Sequence, residues 1–358
     1  MRRHLALGLA LVLSAAGPLV AGAPATAGAS SPTIAQLIGQ KLVVAMSGTT
    51  PSASLLGRIR RGEVGGVILF GSNITTQPAL VALTAQLHAA AAAGGQPHFL
   101  VMVDQEGGSI KRIPWAPPTL SPARMGSLGS TTVARDQGAA TGVALKALGV
   151  DVDLAPVVDV PASTASFLYR QHRTWSFSAT RTEWLTNAFV AGMRNAGEVP
   201  VMKHFPGLGY ATLNTDTSRV TITQSAAKLA PGLLPYRLGI SRGVPMIMLS
   251  NATYPAWDRH YAAGWSKPIQ TLLRTTLGFR GVTITDSLDG TANTRGLSAG
   301  YLALLSAKAG TDMLLLTGSE SESAGVFDTL VHAAETGGLK LTTLQASWAR
   351  ILALKAKH

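Results

Sequence analysis

The feature that most constrains the fold is a repeated alternation of short apolar runs with longer segments of helical character. The runs are almost continuously hydrophobic, as expected for parallel strands that are buried on both faces. Eight such strands alternating with helices predict an α/β protein, a single-domain (β/α)8 TIM barrel without a second α/β sandwich domain. The predicted strands are residues 41–46, 66–70, 99–103, 150–155, 199–202, 245–249, 282–285 and 313–316.

An open, doubly wound sheet is the alternative architecture, but no glycine-rich phosphate fingerprint follows the first strand. The segments between the strands carry helix signals, such as a serine at the start and a glycine just after the end. Ser266, with Pro268 in the first turn and Gly278 at the end, is one example. The predicted helices are residues 34–38, 52–61, 78–93, 131–148, 181–195, 266–277, 298–309, 321–336 and 341–355.

Polar side chains follow most of the predicted strands. In a barrel the active site is built from the carboxyl ends of the strands, so these residues are expected to converge. Together they predict a polar pocket for a hydroxyl-rich ligand. They are Asp104, Gln105, Glu106, Lys111 and Arg112 after strand 3, Asp159 after strand 4, Lys203 and His204 after strand 5, Ser250 and Asn251 after strand 6, Asp286 after strand 7 and Thr317 after strand 8.

The chemistry of this set favours glycosyl transfer. The sequence contains no HExxH motif or Cys/His cluster, so neither a metal nor a cofactor is expected. Residues 296–300 match the pattern G-x-S-x-G, but polar residues precede them where a serine elbow needs a strand, and Ser298 is better interpreted as a helix N-cap. Carboxylates together with Arg, Lys and His suit sugar binding and glycoside cleavage.

The first 28 residues have the features of a secretory signal peptide. A basic pair, Arg2-Arg3, precedes an apolar stretch at residues 5–16, and Ala25-Thr26-Ala27 matches the A-x-A pattern of a cleavage site. We therefore expect residues 29–358 to form the barrel domain of a secreted or cell-wall-associated protein. The chain has no cysteine, which excludes disulfides and a lipid-modified cysteine, and no other run is long and apolar enough to span a bilayer.

The chain is strongly basic. Its formal charge is +12, which falls to +10 without Arg2 and Arg3. The cations are scattered, so we predict no nucleic-acid partner and, for an exported protein, an anionic cell-wall polymer as neighbour. Solubility alone accounts for this charge equally well. We expect a monomer.

Four stretches, in this order and spacing, are similar to motifs of one enzyme family. They are VDQEGG at 103–108, LAPVVDV at 154–160, KHFPG at 203–207 and LGFRGVTITDSL at 277–288. Residues 309–315 and 350–355 also fit. Over about residues 34–355 the chain resembles glycoside hydrolase family 3, and within it the single-barrel bacterial β-N-acetylhexosaminidases.

The resemblance implies a role for individual residues. Asp286 matches the family nucleophile, which forms a covalent glycosyl-enzyme, and a neighbouring cation such as Lys203 would keep it ionised. The residues that match sugar-binding positions are Asp104, Arg112, Arg173, Lys203 and His204. Arg173 lies in a stretch where the family pattern is distorted.

The chain departs from the acetylhexosaminidase subgroup in one loop. The subgroup carries a histidine there as general acid/base, whereas residues 207–209 read GLG and residues 214–218 read NTDTS. Asp216 is the only carboxylate or imidazole between Tyr210 and Ser218, and we hypothesise that it is a substitute acid/base. A capping or Asx-turn role for Asp216 is an equal alternative.

The resemblance implies a secreted, retaining β-N-acetylhexosaminidase that releases terminal N-acetylglucosamine from glycans or peptidoglycan fragments. The missing histidine leaves open a carbohydrate-binding barrel with impaired catalysis. A β-glycosidase of other sugar specificity is a further alternative. A Schiff-base lyase using Lys203 is also possible on this fold, but it gives Asp286 and Asp104 no purpose.

Overall fold

The protein folds into a closed barrel of eight parallel strands. The computed structural model describes Met1 and residues 31–357; the predicted signal peptide, apart from Met1, lies outside the described residues. The strands are β1 (Leu42–Ala45), β2 (Gly66–Leu69), β3 (Leu100–Val103), β4 (Val152–Asp153), β5 (Val199–Phe205), β6 (Met246–Leu249), β7 (Val282–Thr285) and β8 (Leu314–Leu316).

Hydrogen bonds connect these strands in sequence order and then close the ring. β1 pairs with β8 on one side and β2 on the other. The remaining gap between β7 and β8 is closed by Met313, whose N–H donates to Thr283 O at 2.8 Å and whose carbonyl accepts from Thr285 N at 3.1 Å. The predicted (β/α)8 barrel is confirmed, and the open-sheet alternative is excluded.

The near-continuous hydrophobicity of the strands follows from this closure. Alternate residues point into the barrel, where Val43, Ile68 and Met102 share one core cluster with residues of all the other strands. Their neighbours, such as Leu42, Val67 and Val101, pack outward against the helices in a second cluster. Both faces of each strand are therefore dry, which removes the polar alternation of a half-exposed strand.

The predicted helices are present, with ends shifted by a few residues. Ser298 is confirmed as an N-cap, since its side chain accepts the N–H of Tyr301. The helix capped by Ser266 changes to π geometry at Leu272–Thr276. The helices that match predictions are Ile34–Gly39, Ala53–Arg61, Gln77–Ala93, Thr131–Ala147, Ala179–Asn195, Lys267–Thr271, Ala299–Ala309, Glu320–Glu335 and Leu341–Lys355.

Several short elements were not predicted, because they are too brief to show a hydrophobic period. They are the helices Pro122–Leu128, Phe167–Arg170, Ala226–Leu229, Leu234–Ser241 and Leu288–Arg295, the 3-10 turns Gly71–Asn73, Ala230–Leu233 and Ala263–Trp265, and two hairpins, Gln105–Gly107 with Ile110–Lys111 and Thr253–Tyr254 with Asp258–Ala262. Among residues 31–357, no helix is long and apolar enough to span a membrane.

The amino-terminal end of the barrel is closed by a buried ionic network around Asp312. Arg350 donates from Nε and Nη2 to Asp312 Oδ1 at 2.9 and 2.7 Å. The other oxygen, Oδ2, accepts the N–H of Thr283 at 2.8 Å and a guanidinium N–H of Arg274. Nearby, the Lys41 ammonium donates to the carbonyls of Thr311 and Asp312 at 2.7 and 2.9 Å. This end of the barrel is therefore fully hydrogen-bonded around its carboxylate.

Candidate active site

A cavity of about 370 Å³ opens at the carboxyl ends of the strands. Every residue that was assigned a catalytic or sugar-binding role from the sequence lines it: Asp104, Arg112, Arg173, Lys203, His204, Asp216 and Asp286. Apolar side chains, including Phe70, Phe167 and Met248, form the remaining walls. The structure thus brings together residues that are up to 182 positions apart in the sequence, as expected for strand ends that meet at one mouth.

The floor of the cavity is a cluster of buried charges centred on Lys203. Its ammonium lies 2.6 Å from Asp104 Oδ1 and 2.7 Å from Glu106 Oε1. Burial opposes the charge on Lys203, but Asp104 and Glu106 outweigh that effect and raise its pKa. A lysine held protonated in this way is a poor nucleophile, so the geometry disfavours the Schiff-base alternative.

Lys203 lies inside β5, although the apolar run predicts that this strand ends at residue 202. The strand continues to Phe205 because the charged side chains that follow Met202 are buried with partners. The Lys203–His204 and Phe205–Pro206 peptide bonds are both cis.

Two arginines extend the charged cluster. Arg173 binds Glu106 in a bidentate pair, with Nε and Nη2 at 2.8 and 2.7 Å from the two carboxylate oxygens. Arg112 Nη2 lies 3.8 Å from Asp104 Oδ2, and its guanidinium lies over the Phe70 ring, 5.7 Å from the centroid. The side chains predicted to hold sugar hydroxyls are therefore fixed in place by their mutual charges.

Asp286 follows β7 directly. Its N–H donates to Leu249 O at 3.0 Å, and its Oδ1 accepts the N–H of Ser287 at 2.8 Å. Lys203, the neighbouring cation expected to keep Asp286 ionised, pairs with Asp104 and Glu106 instead, and among the described residues Asp286 takes part in no ion pair. Asp286 thus presents its carboxylate to the cavity without a cation bound to it.

His204 is oriented by a carboxylate behind it. Its Nδ1 lies 2.8 Å from Asp159 Oδ2, and its backbone N–H donates to the same oxygen at 3.2 Å. The other oxygen of Asp159 accepts the N–H of Leu208. Because Asp159 engages Nδ1, the ring nitrogen left for a ligand in the cavity is Nε2.

Asp216 reaches the cavity from the loop after β5. Burial and the negative charge of Asp286 raise its pKa to about 6, against smaller opposing effects of His204 and Arg173. Its Oδ1 is buried, and no group in the described part of the chain hydrogen-bonds to it. The Asx-type contact is made by Asn214, whose Oδ1 accepts the N–H of Asp216 at 3.1 Å. Asp216 is one of the residues that line the cavity.

The short helix Leu288–Arg295 supports this loop. Thr291 Oγ1 lies 3.4 Å from the carbonyl of Thr215. Gly290 packs so closely that a Cβ there would lie 2.9 Å from the carbonyl oxygen of Asp216. Behind the helix, Asn251 Nδ2 donates to Thr291 Oγ1 at 2.8 Å. The helix therefore fixes how far Asp216 enters the cavity.

Three contributing residues were not assigned a role from the sequence. Glu106 is the buried partner of Lys203 and Arg173, which lower its pKa to about 2 although burial alone would raise it. Asp159 orients His204, and Asp153 accepts the N–H of Gln105 at 2.9 Å, with a pKa that burial raises to about 8. Position at a strand end was the available signal for Glu106 and Asp159.

Ser250 and Asn251, which were expected at the mouth, do not line the cavity. Ser250 Oγ lies 2.9 Å from the hydroxyl of Tyr254, which donates to Gly207 O at 3.0 Å. Asn251 hydrogen-bonds to Ser287 O and Thr291. Both side chains brace the loops that carry the cavity residues.

The architecture and the site together define a class. A closed (β/α)8 barrel whose carboxyl end carries one carboxylate without a cation, a second with a raised pKa, and a set of fixed polar groups has the equipment of a glycoside hydrolase.

Comparison with known proteins identifies the family. A sequence-family model, described as the glycosyl hydrolase family 3 N-terminal domain, matches residues 33–354. An uncharacterized secreted glycosyl hydrolase of Arthroderma benhamiae is 33% identical over 326 residues, covering 89% of this chain and 92% of that protein. The chain belongs to glycosyl hydrolase family 3, which confirms the resemblance seen in the sequence.

Two solved structures extend the comparison. The crystal structure of a β-N-acetylhexosaminidase from Beutenbergia cavernae superposes with a TM-score of 0.84 at 32% identity, covering 92% of this chain and 100% of that one. A glycoside hydrolase family 3 β-N-acetylglucosaminidase from a Paenibacillus species superposes with a TM-score of 0.86 at 27% identity, covering 91% of this chain. The present chain spans 63% of the length of the Paenibacillus structure.

Proposed function

We propose that the protein is a retaining β-N-acetylhexosaminidase that releases terminal N-acetylglucosamine from glycans or peptidoglycan fragments, with Asp286 as nucleophile and Asp216 as general acid/base. The names of the Beutenbergia and Paenibacillus relatives support the sugar preference. The groups available for the hydroxyls of the first sugar are Asp104, Arg112, Arg173, Lys203 and His204.

In the first step the Asp286 carboxylate attacks the anomeric carbon. The bond from that carbon to the leaving oxygen breaks, and Asp216 donates its proton to this oxygen. The products are a glycosyl ester on Asp286 and a free alcohol. Protonation of the leaving group is needed most when the alcohol is a poor leaving group, such as another sugar.

In the second step a water molecule attacks the same carbon. Asp216, now ionised, accepts a proton from the water, and the ester bond to Asp286 breaks. Two displacements at one carbon retain the β configuration. Both carboxyl groups return to their starting states, so the cycle needs no other group to supply or remove a proton.

The observation that carries the proposal is the state of Asp216. A general acid must be protonated near the working pH, and an ordinary aspartic acid is not. Burial and the charge of Asp286 raise the pKa of Asp216 to about 6, close to neutrality. Its buried Oδ1 has no hydrogen-bond partner within residues 31–357.

The test is the hydrolysis of two β-N-acetylglucosaminides by the wild type and Asp216→Ala. One substrate has a good leaving group and the other a poor one. We expect Asp216→Ala to lose about 10²–10⁴-fold in kcat/KM on the poor substrate and much less on the good one. Thr217→Ala, an exposed neighbour in the loop, is the matched control and should cleave both normally.

Azide provides a second readout. It can attack the glycosyl-enzyme without a general base, so it should restore turnover of the good substrate by Asp216→Ala and yield a β-glycosyl azide. If the variant cleaves both substrates as well as wild type, the acid/base is another group. If the wild type binds N-acetylglucosamine but cleaves neither these nor other β-glycosides, the protein is a carbohydrate-binding barrel.

We further propose that residues 1–28 direct export and that residues 29–358 form the mature domain, which acts outside the cell or at the wall. The word "secreted" in the name of the Arthroderma relative supports this proposal. Mass spectrometry of the protein recovered from culture medium tests it. A mature amino terminus near residue 28 is expected, and an intact chain retained in the cytosol would contradict export.

A further inference from the structure

A second cluster of titratable side chains lies at the end of the barrel opposite the cavity. It consists of His88, in the helix Gln77–Ala93, His98, in the loop before β3, and Asp151, directly before β4. The proposed glycosidase chemistry uses none of them. Three separate segments of the chain thus bring two imidazoles and one carboxylate to a single point.

The donor atoms of this cluster are close together. His88 Nε2 lies 2.9 Å from Asp151 Oδ2, and His98 Nε2 lies 2.8 Å from Asp151 Oδ1. One ligand atom from each of the three residues can be chosen so that these atoms all lie within 4.8 Å of one another. The two imidazole rings stack with their centroids 5.1 Å apart. Each histidine therefore directs a nitrogen toward its own oxygen of one carboxylate.

The backbone holds the carboxylate in place. Asp151 Oδ2 accepts the N–H of Val101 at 2.8 Å, and the N–H of Asp151 donates to Val101 O at 2.9 Å. Its carbonyl accepts from Val199 N at 3.2 Å, which ties the same residue to β5. A carboxylate oriented by a backbone N–H is the type of second-shell support that metal ligands have.

The cluster is also accessible to an ion from solution. The side chains of His88 and His98 are 25% and 33% exposed, and that of Asp151 is 10% exposed. An ion could therefore reach the three ligand atoms without displacing a helix or a strand.

We propose that His88, His98 and Asp151 form a binding site for a divalent transition-metal ion of the zinc type. Two imidazole nitrogens and a carboxylate oxygen are ligands that Zn²⁺ accepts, with water at a fourth, open position. Bonds of about 2.0–2.1 Å in a tetrahedral site hold the ligand atoms about 3.3 Å apart. The two short His–Asp contacts would widen by about 0.5 Å, and ligand atoms up to 4.8 Å apart would close to the same spacing. Rotation of the partly exposed imidazoles allows both changes.

The sequence pattern does not reveal this site, and the expectation from the sequence was that no metal is bound. His88 and His98 are ten positions apart, and Asp151 is 53 positions further on, so no local motif is formed. A bound ion would connect the helix Gln77–Ala93 to the bases of β3 and β4. We expect it to stabilise the fold without changing turnover, because the cavity lies at the other end of the strands.

The experiment is a titration of the intact, tag-free, metal-stripped protein with Zn²⁺, followed by calorimetry and by thermal melting. We expect one ion per chain and a melting temperature that rises with excess Zn²⁺. Loss of a second-shell partner lowers metal affinity by about 10–100-fold. His88 and His98 are proposed as direct ligands, so His88→Gln and His98→Gln should each lower the affinity for Zn²⁺ by at least about tenfold. Glutamine can still donate a hydrogen bond to Asp151, which limits structural damage.

His332→Gln is the matched control, because His332 is an exposed histidine on another helix. It should bind Zn²⁺ like the wild type. With Co²⁺ in place of Zn²⁺, the visible absorption bands should indicate a four-coordinate site in the wild type and change in His88→Gln. If saturable binding is absent, or if both cluster variants keep wild-type affinity, the three residues form a hydrogen-bonded clamp only and the proposal is wrong.

Discussion

Asp216 at the mouth of the barrel and Asp312 at its base are both aspartates shielded from water, Asp216 partly and Asp312 fully, but their surroundings differ. Both carboxylate oxygens of Asp312 accept hydrogen bonds, one from Arg350 at 2.7 and 2.9 Å and the other from Thr283 and Arg274. Asp216 has a buried oxygen to which no described group hydrogen-bonds, and a second carboxylate, Asp286, is close enough to raise its pKa.

The difference separates two uses of the same side chain. A buried charge that is fully paired holds its neighbours together, and removing it leaves unpaired cations. A carboxyl group that is desolvated and faces a like charge retains its proton into the neutral range, which costs stability when it ionises but makes the proton available for transfer. The base of the barrel is built for stability and the mouth for chemistry.

The largest expected effect comes from the other carboxylate at the mouth. Asp286→Asn should lower kcat by about 10⁴-fold or more, because the amide is not a nucleophile for the anomeric carbon. The melting temperature should stay within a few degrees of wild type, since Asp286 makes no ion pair with a described residue. Steady-state kinetics and calorimetry measure the two quantities, and substantial activity in the variant would remove Asp286 from the mechanism.

The opposite pattern is expected at the base. Asp312→Ala should lower the free energy of unfolding by about 3–5 kcal/mol, since Arg274 and Arg350 lose their buried partner. Below the melting temperature kcat/KM should change little. Denaturant titration checks the first statement and kinetics the second. Asp328→Ala, an exposed position on the helix Glu320–Glu335, is the control. A stable but inactive Asp312→Ala variant would contradict a purely stabilising role for the base of the barrel.

The raised pKa of Asp216 sharpens the comparison through the pH profile. The general acid acts only in its protonated form, so kcat/KM on a substrate with a poor leaving group should fall about tenfold per unit above a pH near 6. For a substrate with a good leaving group, the decrease of kcat/KM above this pH should be much smaller. If Asp216→Asn shows the same decrease of kcat/KM with pH on the substrate with the poor leaving group, the titration of another group causes that decrease.

The smallest expected effect concerns stability. The pKa of Asp216 is about 6 in the folded protein against a reference value of 3.8. The folded state therefore holds the proton more tightly, and the free energy of unfolding falls as pH rises from about 4 to about 6. In Asp216→Asn the side chain does not ionise, so this decrease in the free energy of unfolding with pH is absent.

The Asn variant should thus gain about 1–3 kcal/mol relative to wild type between pH 4 and pH 7. Denaturant titrations at the two pH values measure the change, with Asp328→Asn as control. A variant that loses stability at pH 7 would show that the ionised Asp216 is paired in solution, as Asp312 is.

The sequence predicted the barrel because its strands are dry on both faces, which leaves a hydrophobic run that local inspection detects. It placed the end of β5 three residues early, because Lys203 and His204 are charged or polar and their buried partners are not visible locally. Glu106 contacts Arg173 across 67 positions and Asp159 contacts His204 across 45. Such pairings follow from closure of the barrel, so strand-end position could indicate the residues but not their roles.

Asp286 is followed after two positions by the helix Leu288–Arg295, and the same helix, at Gly290, lies against the carbonyl of Asp216. The loop that carries Asp216 thus packs on a helix that begins two residues after Asp286, so the packing of this helix influences the distance between the two residues. In a glycosidase the separation of the two groups determines the anomeric configuration of the product. If Asp286 and Asp216 act as proposed, the anomeric configuration of the released sugar depends on the backbone packing of this helix as well as on the two side chains.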